Sequence, residues 1–420
     1  MSRCGENAIL SETADTVKDR RQDRSHIDGA SIEGYSEETM TIPLLLHGKH
    51  AGPTVAYEPF GPWIVPWRFA TFEPEYQALR TGVGLIDYST QAVIEVQGAD
   101  RVSFLHQLLT NDIKGLAPGS GCRAALVTAT AKLVADLLVL THPESLWLLC
   151  ELPRAEAIVK TLEQHRFSEQ VTLVNHERRY GVLALEGPRT IALLTQLLGA
   201  VVSLPATGDH AAHQLQTIPI RCVRHSLTGG IGVLLLVEAE AMETVWALLQ
   251  QQGRPFGLSL AGWEALNAAR LEAGVPWFGI DMDESNLLPE TGLERTAVSD
   301  SKGCYLGQEI IARMQTYGSA NKKLMGLKVE GASIPERGAQ IYRAAEEVGA
   351  VTSSGFSPIL QQPLAMGYVK RSAYDAGTAV EIRQNGARLS AVVAALPIAP
   401  SGERTATPAS SGRTRAGGKA

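Results

Sequence analysis

A chain of 420 residues is too long for one typical domain, so two or three are predicted. Hydrophobic residues make up 45% and charged residues 20%, an ordinary globular composition, and a formal net charge of -6 gives no electrostatic ground for non-specific binding to nucleic acid or an anionic membrane. Cys4, Cys122, Cys150, Cys222 and Cys304 are scattered and never form C-x-x-C, which offers neither a disulfide framework nor a metal knuckle and fits a reducing cytoplasm.

The first 40 residues carry nine acidic and five basic residues around no apolar run, which suits neither a secretory signal nor a transit peptide. Residues 1–50 are predicted to be a disordered extension. Beyond them the hydrophobic period alternates between two and 3.6. Val93–Val96 reads as a strand, and Asp100 is a plausible N-cap for a helix with Phe104, Leu105, Leu108 and Leu109 on its apolar face. Strands are predicted at 123–128, 135–140 and 147–150, then a helix over 154–165. A strand-to-helix unit spans 180–198 and turns at Gly187-Pro188; strand 231–237 and helix 241–251 follow. Even the longest aliphatic runs, such as Ile231–Val237, fall far short of the roughly 18 residues that cross a bilayer. The interleaving indicates an α+β fold. A long helix is expected from Ser259, as N-cap, to a stop at Gly274.

Gln308–Tyr317 has helical spacing, with Ile310, Ile311 and Met314 on one side, and is preceded by Lys302-Gly303-Cys304-Tyr305-Leu306-Gly307-Gln308-Glu309. Cys304 would lie near a helix N-terminus, where the macrodipole and the Lys302 charge favour a thiolate. The alternative is a buried, inert cysteine. Glu309 and Arg313, four apart, can pair along the helix. After Lys322 six short alternating stretches separated by Gly, Pro and Ser predict a small β-barrel or sandwich over 321–398, and 399–420 reads as a disordered tail. No G-x-G-x-x-G follows a strand and no Walker A sequence occurs. His47, His50, His210 and His213 lack partners at metal-site spacing and are assigned to solvated loops; no permanent metal site is expected.

Several ordered segments carry a resemblance: Gly82-Val83-Gly84-Leu85-Ile86-Asp87, Leu109-Thr110-Asn111-Asp112, Ala135-Asp136-Leu137, Leu185-Glu186-Gly187-Pro188, Arg270-Leu271-Glu272-Ala273-Gly274, and the octapeptide with Ala312-Arg313. Together they resemble the aminomethyltransferase (glycine-cleavage T-protein) superfamily, and the K-G-C-Y-x-G-Q-E signature resembles its YgfZ-type branch. The resemblance implies a tetrahydrofolate-binding module of ferredoxin-like α+β parts around a central cavity, here 51–320, followed by a β-barrel. On that resemblance Asp136 would anchor or polarise the folate; the alternative is a strand-end aspartate. Glu272 would face the pterin, or be a solvated helix-end acid. Arg270 would bind folate carboxylates, or snorkel. Asn111 would border the cavity, or form an ordinary turn. Cys304 would be the working thiol, with Lys302, Gly303, Tyr305, Gly307, Gln308, Glu309 and Arg313 shaping its turn.

The YgfZ-type branch implies a tetrahydrofolate-dependent accessory role in iron-sulfur cluster assembly or repair. Its partners would be cluster-assembly proteins or client radical enzymes that modify tRNA, with Cys304 as a transient iron ligand or redox group. The alternative is a folate-dependent aminomethyltransferase or related one-carbon transferase. Aminomethyl transfer needs a carboxylate near the folate nitrogen, and Ala135 stands where the transferases commonly carry a first aspartate, which counts against that alternative. Ala131, where related sequences often have glycine, is expected to strain its turn if φ is positive there.

Overall fold

The computed structural model describes residues 41–50, 55–317 and 320–399. The disorder expected for 1–40 and for the tail after 399 falls outside the described residues. Residues 41–50 overturn part of the first expectation. Ile42–Pro43 pairs with Trp63–Arg68, and Leu44 and Leu46 are buried. Two leucines and an isoleucine within five positions were enough to anchor a polar-looking segment by burial.

Two sheets form the body. One has six strands in the order His210–Leu215, Ile218–Arg224, Gly232–Glu238, Tyr180–Glu186, Val83–Asp87 and Leu258–Leu260, with only the last pair parallel. The other has five antiparallel strands in the order Gly121–Val127, Leu133–Thr141, Ser145–Glu151, Gln91–Gln97 and Thr172–Asn175. Period-two alternation decides how they meet. Leu138 and Leu140, with Val93 and Leu149, pack against Val182, Ala184, Leu234 and Leu236 of the six-stranded sheet. Ala135, Leu137 and Val139 point the other way, beneath helices Arg101–Leu108 and Ala155–Gln164. Helices Thr190–Leu198 and Met242–Gln252 cover the outer face of the six-stranded sheet. Each sheet thus has helices on one face and its partner on the other, the layered α+β arrangement expected.

The six strands expected after Lys322 close into a barrel in the order Lys322–Val329, Gln362–Lys370, Glu346–Ser357, Gln340–Arg343, Ala379–Gln384 and Ala387–Ala394. Closure leaves no unpaired sheet edge. The helix Trp263–Ala273 lies against barrel strand Glu346–Ser357 and helix Phe72–Thr81, with nine of its eleven residues buried. It stops at Gly274 as expected but does not start at Ser259. Leu258–Leu260 is captured as an edge strand on Val83–Asp87, so the helix begins only after Gly262. The buried Glu75 carboxylate accepts Gly262 N–H at 2.6 Å, doing at long range what a local Ser cap would do. A Cβ at 262 would stand 2.2 Å from the Trp67 carbonyl oxygen, so no serine fits there. No helix among the described residues is long and apolar enough to cross a membrane.

Candidate functional site

At one end of the inter-sheet core the aliphatic side chains give way to polar ones. Two residues before Leu138 on the same strand face stands Asp136, and two after Leu149 stands Glu151. A narrow cavity opens there, lined by Tyr88, Gln91, Arg123, Asp136, Glu151, His225, Trp277 and Phe278 among others. The register that pairs Ala125 with Asp136 leaves Arg123 diagonal to it, and Gln91 lies directly opposite Glu151.

Arg123 Nε donates to Asp136 Oδ1 at 2.8 Å, and a second guanidinium nitrogen donates to Oδ2. Burial alone would lower the arginine, but the facing carboxylate outweighs it and holds it above its ordinary value. Gln91 donates its amide to Glu151. Burial, with the Asp136 charge adding to it, pushes the Glu151 carboxyl up to about 8 against that hydrogen bond. Burial and then the Arg123 charge push His225 down to about 4. At neutral pH an ion pair therefore sits beside a carboxylic acid that keeps its proton and an uncharged imidazole. His225 Nδ1 is buried and has no hydrogen-bond partner among the described residues.

The raised Glu151 value makes stability fall with pH. The unfolded chain loses this proton near 4.5 and the folded chain near 8, so each step up between them favours unfolding. Glu151→Gln is expected to match the parent at about pH 4 and to exceed its stability at pH 8. The gain is at most about 5 kcal/mol at 1.36 kcal/mol per pH unit. Urea unfolding at both pH values measures it.

Several sequence expectations change here. Ala135 does not stand in for a missing cavity carboxylate: it is 2% exposed and packs in the apolar layer beneath the helices, so a carboxylate there would face away from the cavity. Ala131 does adopt positive φ, at 62°, in the turn that returns Thr128 to Lys132. Glu272 is neither on the cavity wall nor solvated. It is buried and paired with Arg80, and accepts the Tyr76 hydroxyl at 2.7 Å and the Ser357 hydroxyl, tying two helices to the barrel. Partners distant in sequence, 85 to 196 residues away, supply what a solvated acid at a helix C-terminus would lack.

Arg270 neither snorkels nor reaches into the cavity. It is fully buried, donates to Asp281 at 2.7 Å, and lies 4.2 Å from the centre of the Trp277 ring, behind the cavity wall. Asn111 donates to the Arg123 carbonyl at 2.8 Å, bracing the strand that carries Arg123 rather than lining the cavity. His50 and His210 are buried, not solvated. His50 packs on Phe69 and Trp246 with its Nδ1 2.8 Å from the Tyr57 hydroxyl. His210 Nε2 lies 3.1 Å from the Thr141 carbonyl oxygen.

The octapeptide forms a brace with one exposed thiol. The helix after it spans Gln308–Tyr317, and Cys304 is exposed four residues before its start. Lys302 does not serve the thiol. Its Nζ donates to the carbonyls of His106, Leu109 and Asn111 at 2.5–2.9 Å, closing the C-terminal end of helix Arg101–Leu108. It also sits over the buried Tyr305 ring at 5.0 Å. Burial lowers this ammonium to about 8. Gly307 has φ of 77°, and a Cβ there would stand 2.7 Å from the Thr128 carbonyl oxygen, so glycine is required where the octapeptide meets the Ala131 turn. Gly303 has open space around it, Gln308 is half-buried, and Glu309 and Arg313 are exposed and form no ion pair with each other among the described residues. Likewise, no three His, Cys, Asp or Glu side chains among the described residues converge as a metal site.

Two sheets, a closed barrel and an aromatic-walled polar cavity define an α+β module with a C-terminal barrel. Residues 46–301 match the GCVT N-terminal domain and residues 322–399 the glycine cleavage T-protein C-terminal barrel domain, and the chain belongs to this T-protein family. It is 28% identical over 357 residues to an aminomethyltransferase of Bacillus licheniformis, covering 84% of this chain and 96% of that one. It is 29% identical over 351 residues to an aminomethyltransferase of a Synechococcus strain, covering 80% and 93%. The crystal structure of glycine cleavage system aminomethyltransferase T from Bartonella henselae superposes with a TM-score of 0.74 at 24% identity, covering 85% of this chain and 98% of that one. These likenesses extend to the superfamily and do not single out the YgfZ-type branch.

Proposed function

We propose that the chain is a tetrahydrofolate-dependent one-carbon transferase of the aminomethyltransferase type, acting in the Asp136–Glu151 cavity. One observation carries this: a clamped carboxylate and a proton-holding carboxylic acid share one aromatic-walled cavity. Likeness over 80–84% of this chain to chains named aminomethyltransferase favours it over the accessory role expected first. The cavity suits a flat, nitrogen-rich ring. Tyr88, Trp277 and Phe278 offer aromatic walls, and His225 Nδ1 and Trp277 Nε1 are buried polar atoms without partners among the described residues.

Tetrahydrofolate, when bound, supplies the nitrogen that accepts the one-carbon unit. Arg123 fixes the Asp136 carboxylate in one orientation, so its charge is preorganised toward the cavity. Glu151 keeps its proton near neutrality and can give it to a departing amine. Methylene-tetrahydrofolate formation from tetrahydrofolate and an aminomethyl donor is the test; no turnover above background with soluble protein rejects the reading.

A second reading keeps the iron-sulfur role on cluster-assembly proteins and client enzymes, including those that modify tRNA. One observation favours it. Cys304 is exposed, whereas Cys122, Cys150 and Cys222 are buried or half-buried with thiols pushed up by burial. It predicts that this chain restores tRNA methylthiolation in a bacterium lacking a YgfZ-type protein and that Cys304→Ser does not. Equal rescue by both would remove the thiol from the mechanism.

A further inference from the structure

The end of the inter-sheet core opposite the cavity also opens, into a groove lined by Trp147, Tyr180, His213, Gln214, Arg221 and Glu238 with flanking apolar residues. Arg221 is half-buried in strand Ile218–Arg224 and reaches over the Trp147 ring at 5.3 Å. Among the described residues its one hydrogen bond to a side chain is with neutral His210, Nη1 to Nδ1 at 2.9 Å. The half-buried Arg80 and Arg123 and the fully buried Arg270 each face a carboxylate. Among the described residues no carboxylate pairs with Arg221.

The groove's own acid, Glu238, is already paired with Arg179 at 3.1 Å. Burial lowers the Arg221 guanidinium from its ordinary value, against smaller raising influences from Tyr180 and Cys222, and no carboxylate among the described residues offsets it. Burial and the Arg221 charge also push His210 down to about 4 and His142 to about 3, so neither adds or removes charge near neutrality. His142 lies tilted between Trp147 at 4.5 Å and His210 at 4.8 Å, and its Nε2 is buried without a partner among the described residues.

A half-buried planar cation beside an aromatic wall, open to solvent and lacking a counter-charge, has one chemical complement. We propose that this groove is a second binding site, separate from the central cavity, for a small organic anion. The carboxylate or phosphate meets the Arg221 fork, and a flat ring carried by the same molecule rests against Trp147 and Tyr180. The groove, at about 470 Å³, has room for such a molecule.

Calorimetric titration of the full chain with sodium benzoate, phenyl phosphate, sodium acetate and inorganic phosphate tests this. Saturable binding of benzoate or phenyl phosphate is expected, with the ringless acetate and phosphate at least about tenfold weaker, a difference of about 1.4 kcal/mol. Whichever ring-bearing anion binds tighter identifies the headgroup. Arg221→Gln is expected to weaken that binding at least about tenfold. Arg221→Lys keeps the charge and the packing stem but loses the fork, so it serves if the glutamine variant fails to fold; intermediate affinity is expected. Absence of benzoate and phenyl phosphate binding up to roughly 10 mM, the range a lone charged contact reaches, overturns the proposal. Unchanged affinity in the folded Arg221 variants overturns it equally, as does a ring-bearing anion binding no better than its ringless counterpart.

Discussion

Asp281→Ala is expected to lower folding stability by about 3–5 kcal/mol, the range for breaking a buried ion pair on one side. Asp281 and Arg270 both have fully buried side chains, and the carboxylate joins three parts of the chain. One oxygen accepts from Arg270 and from Trp277 N–H at 3.1 Å; the other accepts the Thr352 hydroxyl at 2.7 Å and that of Ser353. It thus couples helix Trp263–Ala273, the loop carrying the cavity residue Trp277, and the barrel. Removing it strands a guanidinium that has no route to water. Replacing both partners, as Arg270→Met with Asp281→Leu, is expected to cost less than Asp281→Ala alone, because no unpaired charge remains. Urea unfolding of the three proteins measures both effects. A single variant within about 1 kcal/mol of the parent would mean that water or another group neutralises Arg270.

The Arg270–Asp281 pair also shows where sequence reasoning stops. Arg270 stood out by its place in Arg270-Leu271-Glu272-Ala273-Gly274, but its partner lies eleven residues on, across a turn with no local signature. Period and punctuation did locate the elements that alternate cleanly. Strands at 93–96, 135–140 and 147–150 and the barrel strands are found within a few residues of their observed bounds, because one face of each is consistently apolar. The hairpin His210–Leu215 and Ile218–Arg224 lacks that contrast: histidine, glutamine and Pro219 interrupt it, and burial there is set by the neighbouring strand. Helix Phe72–Thr81 has Pro74 in its first turn and few apolar residues, and is held through the buried Glu75.

Of the cavity, Asp136 was legible and its setting was not. Arg123, Glu151 and His225 come from two further strands and a loop; Arg123 inside Gly121–Val127 and Glu151 closing Ser145–Glu151 were charged residues in apolar runs, the signal available to find them. Which strand ends converge is decided by register and sheet packing, which no single segment encodes. The octapeptide is the converse case. Its pattern was plain, yet the contacts of Lys302 span more than 190 residues and assign it to bracing a distant helix end.

Asp136→Asn is expected to reduce one-carbon transfer to tetrahydrofolate by about 10²–10⁴-fold, the span for losing a positioned acid–base or charge-stabilising group. The amide keeps the shape and one acceptor for Arg123, so the 17% exposed site should still fold. What changes is charge. The cavity goes from an ion pair beside a carboxylic acid to an unbalanced guanidinium beside one, so an electron-poor reacting centre loses a fixed counter-charge on that wall. The substitution also removes one of the influences holding Glu151 up, so the alkaline-limb pKa in the residual rate, where this proton donor is lost, should move downward from about 8. Those two readouts separate a chemical role from a structural one. A loss caused by misfolding would appear in the unfolding curve and leave no shifted pH profile in the surviving activity. Activity within about tenfold of the parent, with the same pH dependence, would instead locate the reacting groups away from Asp136 and return attention to Cys304, the exposed thiol that lies outside this cavity.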